Sequence, residues 1–332
     1  MKIKQAIFAL FLILLLPAIS AAQSRIKFPV SASSKVLGYA PLWVADKKGF
    51  FEREGLDAQV IVTNGTAPSM QALVAESIYA TLAANDGPIG LVEKGIDIAM
   101  IAGGSKTTHM ILGGKGIKTY EDLRGKTIGS STLTSGTAFL LRKVLKTKGL
   151  EYPKDYTLVS VGGSGPSFMA LSSGKTDASI LAVPISFRAI DSGLNLIGKV
   201  ADVFPNYLLS SFSVRRGWAS KHRDEVVQFL KALLKARRWI EEYPNDATEF
   251  LAKDLKLPSE VARRGLDYYL ENRAWEPDLA IDIEGLKPVI ETYAEQAQMK
   301  GPVPGPEKYV DLTYLKEALK QLGWKSAITG TH

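Results

Sequence analysis

The sequence predicts an α/β protein built of lobes with mainly parallel sheets. Three observations lead there. Short β-rich runs alternate with amphipathic helical patterns, the arrangement that buries a parallel sheet under helices. A strand, glycine-rich loop and helix plan recurs after residue 103. The chain of 332 residues is also long enough for two ordinary domains once its leader is set aside.

The leader is residues 1–22. Lys2 and Lys4 precede an apolar run, Ala6 to Leu16, then Pro17 and the small residues Ser20, Ala21 and Ala22. Charge, apolar core and small-residue cleavage site in that order predict a signal peptide, cleaved after Ala22. The apolar run, about 11 residues, is shorter than the roughly 20 that a membrane-spanning helix needs.

IKFPVSAS (26–33) reads as the first strand, and Gly38 to Gly55 as a helix with its exit. DAQVIVTNG (57–65) is the second strand. Thr66 is placed to cap the next helix, with Pro68 in its first turn and Met70, Leu73 and Val74 on its buried stripe. SIYATLA (77–83) and IDIAMIA (96–102) follow as buried strands around a short segment from Pro88 to Lys94. Residues 121–150 then read as strand, Ser/Thr/Gly-rich loop and helix, and 155–184 repeat the plan. A helix to Ser192 and the strand LNLIGKV (194–200) close this unit.

After Ser210 one short strand, SSFSV (210–214), gives way to helices. Ser220 is the expected cap of a long one, whose Val226, Leu230, Leu233 and Leu234 share a face. Further helices are expected near 246–255, 258–272, 284–299 and 311–322, with a frayed tail after Gly323.

Composition removes several functions. There is no cysteine, which excludes thiolate catalysis, disulfides, Cys-ligated zinc and a lipid anchor on cysteine. Three scattered histidines, His109, His222 and His332, suggest neither a metal site nor a catalytic triad. The net charge of +7 is interspersed, as in KALLKARRWIEEY (231–243), with no nucleic-acid footprint. Gly162, Gly163 and Ser164 lack the following Gly-Lys-Ser/Thr of a nucleotide loop, so no cofactor is expected.

Five segments carry a family resemblance: GYAPLWVADKKGFFEREGLD (38–57), DLRGKTIGSSTLTSGTAFLLRKVLKTKGL (122–150), ALSSGKTDASILAVP (170–184), VVQFLKALLKARRWIEEYPNDA (226–247) and YVDLTYLKEALKQLG (309–323). In this order and at these separations the chain resembles the solute-binding proteins of sulfonate, taurine, nitrate and thiamine-precursor ABC importers. AESIYATLAAND (75–86) departs from a Gly-x-(Val/Ile)-Asp-x-(Ala/Gly) pattern common there.

The resemblance implies the type II periplasmic binding fold, two α/β lobes joined by two crossover strands near 103–106 and 208–213. Lobe 1 would hold residues 23–104 and 209–325, lobe 2 residues 105–208, with 326–332 as a tail. It further implies a soluble periplasmic monomer, not an enzyme, that passes a small molecule to a permease and its ATPase. A thiamine-pyrimidine synthase-like enzyme resembles the same sequences but carries a cysteine-rich motif. A ligand-sensing receptor for a membrane kinase is the third reading.

Ligand groups are expected from loops at the carboxyl ends of strands, where open α/β sheets place their crevices. The candidates are Ser33, Ser34, Leu37, Gly38 and Tyr39, then Asn64, Gly65 and Thr66, then Asn85, Asp86 and Gly87. A fourth loop, Ser130, Ser131, Thr132, Thr134, Ser135, Gly136 and Thr137, feeds a helix N-terminus whose free N–H groups favour an anion. Ser and Thr there also suit plain capping. Gly163 is a candidate crevice residue and Arg188 a candidate partner for a carboxylate or sulfonate. Tyr39 offers a flat surface for a planar solute, while Trp43 reads as core. Lys106 and His109 read as structural residues near a crossover.

Overall fold

The computed structural model describes residues 25–133 and 135–325. The expected signal peptide, tail and Thr134 lie outside them. The first sheet comprises β1 (Ile26–Ala32), β2 (Leu56–Val62), β3 (Ala80–Ala84), β4 (Ile98–Gly103) and β10 (Ser210–Arg215), in the order β2-β1-β3-β10-β4. The second comprises β5 (His109–Gly113), β6 (Lys126–Ser130), β7 (Tyr156–Ser160), β8 (Ala178–Ala182) and β9 (Asn195–Lys199), in the order β7-β6-β8-β5-β9.

In each sheet one strand runs against the rest. β10 is antiparallel to both β3 and β4, and β5 to both β8 and β9. These are the two strands entered directly from a crossover, so the chain reverses direction each time it changes lobe.

The helices of the first half are α1 (Ala40–Lys47), α2 (Phe50–Arg53), α3 (Thr66–Val74), α4 (Asp86–Glu93), α5 (Gly136–Thr147), α6 (Ser164–Ser172) and α7 (Ile185–Asp191). After β10 come α8 (Arg216–Lys221), α9 (Arg223–Glu242), α10 (Pro244–Asp254), α11 (Ser259–Glu271), α12 (Ile283–Gln296) and α13 (Thr313–Gln321). No described helix is long and apolar enough to cross a membrane.

Helix α9 anchors the first lobe. Its buried face carries Val226, Leu230, Leu233 and Leu234, spaced for one side of a helix. Phe229 stacks on Phe28 at 4.9 Å and on Phe51 at 5.4 Å, and meets Phe212 edge-on at 5.7 Å. That aromatic cluster ties α9 to β1, α2 and β10. In the second lobe Leu140, Leu141, Val144 and Leu145 of α5 pack with Ile128, Leu158 and Ile180 of the sheet.

Two expected caps are corrected, and two stretches unassigned by sequence take on regular structure. Gly65, with φ of +153°, holds the cap position of α3, and Thr66 is already its first residue. Ser220 lies inside α8, where its hydroxyl donates to the Gly217 carbonyl at 3.2 Å, and α9 starts after His222. The segment around Pro88 to Lys94 is helix α4, with Asp86 in its first turn. Strand β5 was not expected, because Met110, Ile111 and Leu112 make too short an apolar run to show a period.

Candidate functional site

Two crossovers connect the lobes side by side. Residues 104–108 and 203–209 pair through Lys106 and Leu208, with Thr107 N–H on the Tyr207 carbonyl (2.9 Å) and Leu209 N–H on the Ser105 carbonyl (2.9 Å). Lys106 Nζ is pinned by Glu276 at 2.6 Å and Asp282 at 3.5 Å. This short ribbon is the geometry of a hinge.

The carboxyl ends of β1, β3 and β4 gather beside it. Ser33 Oγ lies 2.9 Å from Tyr39 OH, and burial pushes the Tyr39 phenol up to about 12. Gly38 is pressed so closely that a Cβ there would lie 2.9 Å from Tyr269 OH and 3.2 Å from Ser105 Oγ. Its carbonyl accepts from Trp275 Nε1 at 2.7 Å, and Trp275 stacks on Tyr269 at 4.4 Å. Tyr269 OH in turn pairs with Thr108 Oγ1 at 3.1 Å. Ser105 N–H donates to Ser210 Oγ at 3.0 Å.

Asn85 and Asp86 stand at the end of β3. Asn85 ties this loop to the second crossover, its N–H donating to Leu209 O (3.0 Å) and its Nδ2 to Leu208 O (2.9 Å). Asp86 opens α4, and burial raises its carboxyl above the ordinary range, only partly offset by the N–H groups of residues 86 and 87. A Cβ on Gly87 would lie 2.5 Å from Thr66 Cγ2, so the 64–66 and 85–87 loops touch. Asn64 itself is exposed and left-handed, with φ of +54°.

The facing lobe brings the N-terminus of α5 to this point. A Cβ placed on Gly136 would sit 3.5 Å from Asp86 Oδ1, so the two lobes meet between residues 86 and 136. Ser135 caps α5 as the plain capping reading has it, accepting from Ala138 N–H at 3.2 Å. Its hydroxyl donates to the Thr132 carbonyl at 2.9 Å and accepts from Ser131 Oγ at 2.8 Å. Ser130 is fully buried, while Thr132 is exposed and Gly136 and Thr137 are half-buried.

Other expected residues fall elsewhere. Gly163 is exposed at the start of α6, and Arg188 is exposed with its guanidinium 5.8 Å from the Phe168 ring. Leu37 packs into the seam between the lobes, against Gly265 of α11. Trp43 is core, its indole donating to Val36 O at 2.9 Å. His109 opens β5 with Nδ1 3.1 Å from Thr107 Oγ1, and burial pulls it down to about 4. Sequence reasoning missed Ser105, Thr108, Ser210, Tyr269 and Trp275. The hydroxyl-rich run 105–108, directly after β4, was the available signal for the first two.

Helices from the C-terminal region also contact the second lobe at two places. Arg264 of α11 pairs with Asp191 of α7 at 2.8 Å, and Tyr268 meets Phe187 at 5.6 Å. At the second place Lys143 of α5 reaches Glu295 of α12 at 3.3 Å.

Replacing Asp86 by asparagine should raise the unfolding temperature of the ligand-free protein at neutral pH. The sign follows from the raised carboxyl: its folded value lies above its unfolded one, so keeping it charged costs stability once pH exceeds the unfolded value. The gain should therefore vanish as the pH falls below about 4. Thermal melts of both forms from acid to neutral pH check this; a variant that melts lower at neutral pH contradicts it.

Comparison with known proteins agrees with this architecture. A protein of Bacillus subtilis (strain 168), named for binding aliphatic sulfonates, is 26% identical over 300 residues, covering 85% of this chain and 86% of its own. The alkanesulfonate-binding protein SsuA from Xanthomonas axonopodis pv. citri, solved bound to MOPS, superposes with a TM-score of 0.69 at 19% identity, covering 86% of this chain and 98% of its own. The periplasmic nitrate-binding protein NrtA from Synechocystis PCC 6803 superposes at 0.71 with 14% identity, covering 90% and 89%. The two-lobed α/β fold is thus that of periplasmic binding proteins. The NMT1/THI5-like family profile matches residues 37–247, and the chain belongs to that family.

Proposed function

We propose that this protein is the extracytoplasmic solute-binding component of an ABC importer, which closes around a small organic acid and delivers it to a permease and its ATPase. The observation that carries the reading is the meeting of the Asn85–Asp86 loop with the N-terminus of α5 beside a two-stranded hinge. A helix N-terminus presents unpaired N–H groups to an anion, and a hinge lets the facing loop close over it. Relatives named for sulfonate and nitrate binding support an oxyanion as the solute's acid end.

In this reading residues 1–22 direct export to the periplasm, and the mature chain acts there as a soluble monomer without nucleic acid or cofactor. The lobes divide at about 104 and 208, a division supported by the membership of the two sheets. Ser33, Ser34, Tyr39, Thr66, Asn85 and Asp86 serve from one lobe, Ser130, Ser131, Gly136 and Thr137 from the other. The named relatives are mostly binding proteins, and an enzyme with a cysteine-rich motif has no counterpart in a chain without cysteine.

A thermal-shift screen of sulfonates, carboxylates, nitrate and pyrimidines, followed by small-angle scattering with each stabilising solute, tests it. An acid at a hundredfold excess over its Kd should add about 2.7 kcal/mol of apparent stability and reduce the radius of gyration relative to the washed protein. Stabilisation by uncharged pyrimidines alone would overturn the organic-acid reading. Indistinguishable scattering curves for the washed and liganded protein would overturn the clamp.

A further inference from the structure

Asp86 places a condition on the solute that a helix terminus alone does not. Its Oδ1 is buried without a hydrogen-bond partner, and so is the neighbouring Asn85 Oδ1. In the other lobe Ser130 Oγ, at the end of β6, is likewise buried and unpartnered. Asn85 is about as enclosed as a residue can be, with 1% of its surface exposed. Buried acceptors are normally paired, and each one left open is costly. Here two acceptor oxygens on consecutive residues at the end of β3 lack donors, one of them from a carboxylate that otherwise meets only the N–H groups of residues 86 and 87.

The position of that carboxylate matters as much as its one open oxygen. With only a glycine at 136, the Asp86 oxygens face the first turn of α5 directly, Oδ1 3.5 Å and Oδ2 3.7 Å from where a Cβ would be. A simple oxyanion held at the α5 terminus would lie against a second negative group. Like charges at such a distance disfavour one another. A solute that carries a donor beside its acid resolves both problems at once, since the acid takes the helix N–H groups while the donor takes the open oxygens.

We propose that the solute is an aminated organic acid, whose protonated amine is received by Asp86 with Asn85 beside it, and that Asp86 is the residue selecting for that amine. The proposal rests on the receptor reading above and deepens it by naming the solute class. Asp86 attracts the ammonium and accepts its N–H groups, while Asn85 Oδ1 offers a neutral acceptor next to it. Gly136 supplies the room, because any side chain there would stand where the acid and amine must meet.

The test is calorimetric titration of the purified protein with matched pairs: taurine against ethanesulfonate, β-alanine against propanoate, and γ-aminobutyrate against butanoate. At least one aminated member should bind about tenfold to a hundredfold tighter than its partner, the range of one charge-assisted hydrogen bond. Asp86→Asn should abolish that preference while retaining a cooperative melt at or above the wild-type temperature, so that loss of binding is not loss of fold. The proposal is overturned if the unaminated acids bind as tightly as their partners, or if Asp86→Asn binds the aminated acids unchanged. A protonated Asp86 that donates to a plain anion would give the first of these results, and asparagine would then substitute for it. Binding of unaminated acids leaves the receptor reading standing. Failure of every pair overturns the amine proposal, and the receptor reading is then decided by the wider screen.

Discussion

Trp275→Ala should remove about 3–5 kcal/mol of stability, the cost of deleting a large buried aromatic side chain. The residue has no exposed surface. Its ring stacks on Tyr269 at 4.4 Å, and the Arg237 guanidinium stands 6.0 Å from it. The variant also strips the Gly38 carbonyl of its indole donor at 2.7 Å, and an unsatisfied buried acceptor costs about 1–3 kcal/mol more unless water reaches it. Whole domains are held by only about 5–15 kcal/mol, so a large part of the margin would go. Trp275→Phe should lose less, since it keeps most of the volume and gives up the N–H. Urea denaturation of the three forms separates the two contributions. A loss below about 1 kcal/mol for the alanine form would contradict the packing described. Because Gly38 precedes Tyr39, the alanine form should also bind its solute more weakly at temperatures where it remains folded.

The second large effect is expected at Gly285. It sits in the first turn of α12, with its N–H on Asp282 Oδ1 at 3.0 Å and its carbonyl accepting from Leu208 N–H at 3.0 Å. A Cβ at this position would lie 1.9 Å from the Asn206 carbonyl oxygen. The obstacle is backbone, and that backbone belongs to the second crossover. Gly285→Ala must therefore push α12 away from the hinge or displace residues 206–208. Overpacking of this kind costs about 1–3 kcal/mol and sometimes more. The rigid neighbour points to the upper end. Chemical denaturation should show a lower midpoint, and Gly217→Ala, where nothing lies within reach of an added Cβ, serves as the comparison. Equal midpoints for the two variants would refute the close contact.

Much of the fold was legible because its strands are short, apolar and separated by helices with a clear buried stripe. The Val226 to Leu234 face of α9 is the plainest case. β5 escaped because three apolar residues between a polar crossover and Gly113 cannot display a period. The site was legible only in part. Loops at the carboxyl ends of strands were identified by topology, which is how Ser33, Tyr39 and Asp86 came to be named. Trp275 and Tyr269 were invisible, since the bond to Gly38 joins residues 237 positions apart and no local pattern announces it. Asp86 was named as one polar loop residue among several. That its Oδ1 would be buried and unpaired depends on both lobes closing around it, which no window of sequence contains.

The order β2-β1-β3-β10-β4 has a consequence for how the chain reaches its folded state. β3 and β4 are neighbours in sequence but not in the sheet, because β10 stands between them. Neither can complete its hydrogen-bonded ladder until residues 210–215 arrive, after the whole of the other lobe has emerged. A nascent chain shorter than that exposes two apolar strands with open edges, the kind of surface that pairs with other chains. Contacts of such long sequence separation also form slowly. The topology thus holds the first sheet incomplete through most of synthesis and delays its compaction, an interval that the export proposed above would use.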